Sequence, residues 1–274
     1  MRTKEHSSRP FKKYWRWLAL LIILGIVLIG GYEYHAWQTA ADKAVVGNKK
    51  LPTQLKEKRP FTVLVMGTDV GALGRGTSYA GNTDTMELMT VNPQRRAITM
   101  TAIPRDTLVK VNTSRGTDYV KINASYAIGG AKLAQHQVSE LLDVPVDYYA
   151  LLNMGTLKKV VNAVGGVTVD NPFAFTYEGH HFKKGKQHLN GEEALKYSRM
   201  RYDDPNNDYG RQRRGQQVIE SAITTFKKQG SLSDANELMA SVADGVRTNF
   251  PINNVATIYL NYHGAMDHVT RDHL

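Results

Sequence analysis

The hydrophobic and polar positions of this 274-residue chain divide it into one uncharged run and a long alternation of short apolar stretches. The run, WLALLIILGIVLIGGY from Trp17 to Tyr32, carries no charge. As a helix rising about 1.5 Å per residue it spans about 24 Å, enough to cross a bilayer with tilt and flanking residues. Tyr14, Trp15 and Trp17 precede or open it, and Tyr32, Tyr34 and Trp37 close or follow it, where interfacial anchors belong. Residues 41–60 are polar, charged and bounded by Pro52 and Pro60, which reads as a linker or loose helix.

Farther on the pattern alternates. PFTVLVMG (60–67), TDTMELMTVNP (83–93) and AITMTAIPRD (97–106) are rich in β-formers and predict three early strands, with a turn at Asn92-Pro93 between the last two. In NASYAIGGAKLAQHQVSELL, Ala127, Ala131, Ala134, Val138 and Leu141 recur at a 4-3-4-3 spacing and predict one stripe of a helix. VDYYALLN then reads as a strand, MGTLKKVVNAVGG as a helix ended by Gly165-Gly166, and VTVDNP as a strand. GRQRRGQQVIESAITTFKKQG puts Val218, Ile219, Ala222, Ile223 and Phe226 on one helix face, SLSDANELMASVADGV and INNVATIYLNY look helical, and the final MDHVTRDHL reads as a strand. Such alternation predicts an α/β fold, a sheet covered by helices, in one domain from about residue 60 onward.

Charge sets the orientation. The net charge is +10, and residues 1–16 hold six Lys/Arg against Glu5, leaving about +5 for the rest. The positive-inside rule makes 1–16 a cytoplasmic basic tail, 17–37 a single transmembrane helix, 38–60 a linker and 61–274 an extracytoplasmic domain at the cell membrane. A cleaved signal peptide ending at Thr39-Ala40-Ala41 is the competing reading, but that site lies beyond the run and Trp37 is a poor neighbour for cleavage. The chain has no cysteine, which excludes thiol catalysis, thiolate metal sites and a disulfide scaffold.

The candidate chemistry is acidic and arginine-rich. The loop MGTDVGALGRGTSYAGNTDTM is full of glycine yet lacks the Gly-Lys-Ser/Thr of a P-loop and the dinucleotide fingerprint. Asp69 and Asp84 frame it at two strand ends, a pair of hard oxygen ligands that suits magnesium. Arg105 and Asp106 end the third strand, where α/β proteins place ligand crevices. Residues 199–214 hold five arginines. Arg199 and Arg201 would share a face of an extended segment, and Arg211 and Arg214 a helix face. Guanidinium forks in that number suit a diphosphate. The nine histidines show no metal spacing, and no G-x-S-x-G elbow is present.

NTDTMELMTVNP, AIPRD, KINASYAIGG, YSRMR and GRQRRGQQ, in this order behind a membrane anchor, resemble the LytR-CpsA-Psr family of cell-wall phosphotransferases. The resemblance implies an α/β/α sandwich with a central mixed β-sheet and a hydrophobic tunnel. It also implies transfer of a glycopolymer (wall teichoic acid, capsule or related polysaccharide) from a polyprenyl-pyrophosphate carrier to peptidoglycan through a phosphodiester. Carried over by residue, it makes Asp84 the catalytic, magnesium-associated aspartate, to which the pairing of carboxylates around the loop adds Asp69 as a further ligand. Arg105, Arg199, Arg201, Arg211 and Arg214 hold the pyrophosphate, and Asp84 or Asp106 accepts the acceptor's proton. Two positions depart from the family pattern. Asn82 stands where an arginine is usual, so that the phosphate contact is either missing or supplied by Arg75, and Gly215 stands where a glutamine is usual, leaving Gln216 or Gln217 to serve. The expected partners are the lipid-linked polymer, peptidoglycan and the cytoplasmic membrane, with no nucleic acid. Pyrophosphatase activity without acceptor is an accompanying possibility. The alternative is a membrane-anchored, non-catalytic binder of anionic wall polymer, or a transcriptional attenuator, for which about sixteen cytoplasmic residues are too few to form a DNA-reading module.

Overall fold

The structure, a computed structural model, describes residues 44–47, 50–68, 81–113 and 116–274. The expected membrane span and its basic tail lie outside the described residues, as do Asp69 and Arg75. Among the described residues no helix is long and apolar enough to cross a membrane.

The described part of the expected linker is packed on the domain. Val45 bridges to Thr248, and one turn of helix, α1 (Thr53–Lys56), buries Leu55 against Phe61 and Tyr262. Burying such a side chain contributes about 1.5–3 kcal/mol, and the polar residues around Leu55 had hidden it. Gln54 Nε2 adds hydrogen bonds to the Pro60 carbonyl at 2.9 Å and to Asp147 Oδ2 at 3.2 Å.

The centre is a mixed six-stranded sheet in the order β11-β6-β1-β2-β3-β12. Its strands are β1 (Phe61–Thr68), β2 (Thr85–Asn92), β3 (Ala97–Ala102), β6 (Tyr148–Asn153), β11 (Val246–Thr248) and β12 (His268–His273). β2 lies antiparallel to β1 and β3, and β6 antiparallel to β11, while β6 runs parallel to β1 and β12 parallel to β3. In register, Gly67 faces Thr85, Thr68 faces Asn153 and Glu87 faces Ala102. The ends of β1, β3 and β6 and the start of β2 therefore meet at one end of the sheet.

Side chains alternate across the two faces, as strands require. Leu64, Met66, Met86, Leu88 and Leu151 pack against α2 (Ala124–Leu142) and the hairpin β4 (Leu108–Thr113)–β5 (Gly116–Lys121). Phe61, Val91, Ile98, Met100 and Tyr148 face α5 (Asn207–Gln229) and α7 (Val255–Tyr262). Helices α3 (Met154–Ala163), α4 (Gly191–Arg199) and α6 (Leu232–Val242) complete that side. The short strands β7 (Val167–Asn171), β8 (Phe175–Tyr177), β9 (His180–Phe182) and β10 (Gly185–Leu189) form two hairpin ladders beside it. Helical layers thus cover both faces of a mixed sheet.

Two expected helical stripes are corrected. α2 is kinked at Gly129-Gly130, where Gly130 has φ +67°, so Ala127 before the kink is exposed and the buried stripe begins after it. On α5 the apolar residues serve three clusters, Val218 and Ala222 in one, Ile219 and Ile223 in a second and Phe226 in a third. The helix is enclosed on several sides, whereas a surface helix would show one face.

Candidate active site

Asp84 precedes β2 and Arg105 follows β3, so the antiparallel register brings them to the same end of the sheet. Arg105 Nη1 donates to Asp84 Oδ1 at 2.9 Å. The first turns of α5 reach the same place. Arg211 Nη2 donates to the Asp84 carbonyl at 2.8 Å, and Arg211 Nε to Asp208 Oδ1 at 2.9 Å. Asp208 Oδ1 is also 3.7 Å from Arg105 Nη2. Arg105 touches both carboxylates, and Arg211 touches that of Asp208 and the backbone carbonyl of Asp84.

Asp208 was not among the residues singled out in the sequence, although it lies three positions ahead of Arg211 on one helix face, the spacing of an i,i+3 ion pair. Its partial burial opposes ionisation, but the hydrogen bond and charge of Arg211, with the charge of Arg105, outweigh burial and hold its pKa below the ordinary value. Gln212, also missed, donates to Asp208 Oδ2 at 3.3 Å.

Unspent bonding capacity marks where a ligand could sit. The buried Nε of Arg105 has no hydrogen-bond partner, nor does the buried Oε1 of Gln212. Asp84 Oδ2 likewise has no partner among the described residues.

A cavity of about 120 Å³ opens beside this cluster, between the sheet and the helices. Val65, Ala102, Leu152, Leu157 and Ile219 make its walls, and Arg199 and Arg211 also line it. Arg199 ends α4 and is held by Glu178 Oε1 at 3.1 Å. Arg201 stands two residues on, beyond the buried Met200, with Nη2 3.1 Å from the Tyr202 hydroxyl and its guanidinium over that ring at 4.9 Å.

Of the expected site residues, Arg214 and Asp106 are placed elsewhere, and Gln216 lines the cavity with its amide nitrogen committed to the sheet. Arg214 is buried and ion-paired with the buried Asp204, and it donates from Nε to the Tyr197 carbonyl at 3.0 Å and from Nη2 to the Met200 carbonyl. Its guanidinium also lies over Phe175 and Tyr197, at 5.5 and 5.8 Å from the ring centroids. It therefore fastens α5 to the segment after α4 and has no free edge for a diphosphate. Gln216 is also spent internally, donating to Glu87 Oε1 at 2.8 Å, the Asp272 carbonyl at 2.8 Å and the Met100 carbonyl at 3.3 Å. Asp106 is more than half exposed and pairs with Lys121, its Oδ2 being 3.9 Å from Arg105 Nε. Lys121 captures it because β5 returns alongside β4, immediately after Asp106 in the chain.

Among the described residues no group of three His, Cys, Asp or Glu is placed to hold a metal ion. One open carboxylate oxygen on Asp84, next to the cavity-lining Thr85 and Arg211, nevertheless suits magnesium, which is commonly held by one or two carboxylates with phosphate oxygens and water.

A mixed sheet between helical layers, with an Asp–Arg cluster at one end and an apolar cavity beneath it, defines the class, and comparison with known proteins identifies it. The LytR_cpsA_psr family model matches residues 31–273, and the chain belongs to this family. It is 38% identical over 280 residues to the polyisoprenyl-teichoic acid–peptidoglycan teichoic acid transferase TagU of Bacillus subtilis (strain 168), covering 98% of this chain and 89% of that one. Among solved structures it resembles protein gbs0355 of Streptococcus agalactiae, with a TM-score of 0.74 at 37% identity, covering 81% of this chain and 80% of that one. It also resembles TagT bound to LI-WTA, with a TM-score of 0.62 at 26% identity, covering 82% and 83%.

Proposed function

We propose that this protein transfers a glycopolymer from a polyprenyl-pyrophosphate carrier to peptidoglycan, forming a phosphodiester. The observation that carries the reading is the joining of an apolar cavity to a cationic mouth, Arg211 and Arg199 with Arg105 nearby, beside one open carboxylate oxygen. The relatives' printed activity supports it.

The prenyl chain lies in the cavity and the diphosphate at the arginines. Arg105 offers its unused Nε and Arg211 its guanidinium to the phosphate oxygens, charge-assisted bonds that strengthen as negative charge builds on the leaving phosphate. The acceptor hydroxyl of the glycan attacks the phosphorus bearing the polymer, the bond from that phosphorus to the bridging oxygen breaks, and polyprenyl phosphate leaves. Asp84 Oδ2 takes the hydroxyl proton. Magnesium held through Asp84, with Asp69 as a second ligand, would supply further neutralisation of phosphate charge. Asp208 holds Arg211 in place. With water in place of the glycan hydroxyl, the same groups would hydrolyse the carrier diphosphate. The basic tail and apolar run keep the domain on the outer side of the membrane, where carrier and acceptor meet.

The test is turnover of a polyprenyl-diphosphate-linked saccharide by the full chain in nanodiscs with peptidoglycan fragments. Asp84→Asn and Arg105→Ala should each lose about 10²-fold or more in rate, the scale on which a positioned charge-stabilising group acts. Turnover within twofold of the parent for both variants would make the cluster structural and remove the basis of the reading.

A further inference from the structure

Glu87 is a carboxyl that the transfer chemistry leaves unused, and it lines the apolar cavity. It sits in the middle of the sheet on β2, 3% exposed. Its Oε1 accepts from Gln216 Nε2 at 2.8 Å, and that amide also bonds the carbonyls of Asp272 and Met100, so the glutamine is fixed from three sides. The other oxygen of Glu87 has no hydrogen-bond partner among the described residues.

The cavity walls are largely apolar, with Val65, Ala102, Leu152, Leu157 and Ile219 among them, and of the polar residues that also line the cavity, Thr68, Thr85, Asn153, Ser198 and Gln212, none is hydrogen-bonded to Glu87. The charged groups near it are Arg199 from α4 and Arg211 from α5, Asp84 ahead of its own strand with Arg105, and Asp272 and His273 on β12. Asp84 is already paired with Arg105 and Arg211 with Asp208. Burial accordingly pushes the Glu87 pKa up to about 7, with the Gln216 hydrogen bond acting the other way.

We propose that Glu87 makes occupancy of this cavity proton-linked, admitting a prenyl chain beside the neutral acid and excluding it when the carboxylate is ionised. The inference rests on the reading of the cavity as the lipid site. An empty cavity of about 120 Å³ has room for several waters, each needing about 10–15 Å³ of such space, and these can solvate an ionised Glu87. Hydrocarbon displaces them and offers no hydrogen bond, so the ionised form keeps only the Gln216 bond and loses the solvation of its other oxygen. Binding therefore takes up a proton wherever Glu87 is ionised in the empty protein. Affinity should fall toward tenfold for each pH unit above about 7 and hold steady below it. Glu87 thereby sets which occupants the cavity accepts, neutral hydrocarbon under mildly acidic conditions and small polar molecules above neutrality.

The measurement is photolabelling of the full chain in nanodiscs of zwitterionic lipid by a diazirine analogue of farnesol, a neutral alcohol whose own charge does not change over the range. Labelled peptides are mapped by mass spectrometry. The apparent affinity for cavity peptides should drop about tenfold between pH 6 and pH 8. Glu87→Gln, which keeps an acceptor for Gln216, and Glu87→Met, which does not, should both hold at pH 8 the affinity that the parent shows at pH 6. His273→Gln, which removes the imidazole on β12, separated from β2 by β3, should keep the parent's slope. A flat parent profile, or a slope that survives in both Glu87 variants, overturns the proposal. Absence of cavity labelling at every pH in every variant instead overturns the lipid-site reading on which it rests.

Discussion

Arg214 is the residue for which the expected role and the observed surroundings differ most, and replacing it separates the two. In Arg214→Met, Asp204 keeps its place with a side chain only 2% exposed and no counter-charge. The carbonyls of Tyr197 and Met200 each lose a charged donor. Removing one member of a buried ion pair costs about 3–5 kcal/mol, because the remaining charge stays desolvated. For a domain of this size each kcal/mol lowers Tm by about 2–4 °C, so the fall should be about 6–20 °C. The assay is thermal unfolding of the chain from residue 44 onward, followed by far-ultraviolet circular dichroism. Binding of polyprenyl diphosphate is measured below the transition. Adding Asp204→Leu should restore most of the lost stability, since the pair is then gone as a whole. Binding by the folded variant should stay within about threefold of the parent. An unchanged Tm with diphosphate binding weakened tenfold or more would refute the structural role and return Arg214 to the ligand site.

Two further outcomes are expected. Arg211→Ala should weaken polyprenyl diphosphate binding by about 1.5–3 kcal/mol while sparing the neutral polyprenol, and Arg201→Ala, whose side chain rests on Tyr202, should change either by less than about 1 kcal/mol; titration calorimetry on both ligands checks this. The Asp208 carboxyl is held below its ordinary pKa, so its contribution to stability is present above the unfolded-state value of about 3.9 and is lost as pH falls through the folded-state value. Urea midpoints of the parent and of Asp208→Asn should therefore converge in acid and separate toward neutrality, and a constant separation down to pH 2 would contradict the assigned cause.

Much of the sheet was legible because β1, β2, β3 and β6 are apolar runs bounded by Gly, Pro and Asn, and the terminal MDHVTRDHL was read as the strand it forms, β12. The hairpin β4–β5 escaped because its outward positions carry Leu108, Lys110, Tyr119 and Lys121, which blur the alternation that Val109 and Val111 provide. The pair β8–β9 escaped because each strand has three residues, and its turn at Glu178-Gly179 uses positive φ at both positions, with only one glycine to signal it. At the site, Asp84 and Arg105 could be brought together on paper because strand ends fall at the edge of a sheet. Arg214 could not be placed that way, since the spacing of residues on α5 says nothing of a loop folding back to bring Asp204 against it. Gly210 was the faint signal: a Cβ there would collide with the Asp204 carboxylate, and the loop can approach only because none is present. Glu87 was visible as a single charge inside the apolar stretch TMELMTV, and its importance follows only from the cavity beside it.

α5 connects these observations through its geometry. At about 100° per residue, Arg211, Gln212, Gly215, Gln216 and Ile219 fall within one arc of its surface, and all five line the cavity. Arg214 falls outside that arc and turns to Asp204. The arc passes from charge at the first turn to hydrocarbon at the third, the order in which a lipid diphosphate presents its headgroup and its chain. Gly215 stands near the middle of this sequence, and a Cβ built there would meet no atom within 4 Å, so the position opens onto free space. A glutamine at 215, as the family pattern has it, would extend into that space. Its absence leaves more room inside the cavity and leaves Gln216, already tied to the sheet and to Glu87, as the polar residue of the arc deepest among apolar walls. The departure at 215 and the carboxyl at 87 therefore act on the same cavity, one on its room and the other on its polarity.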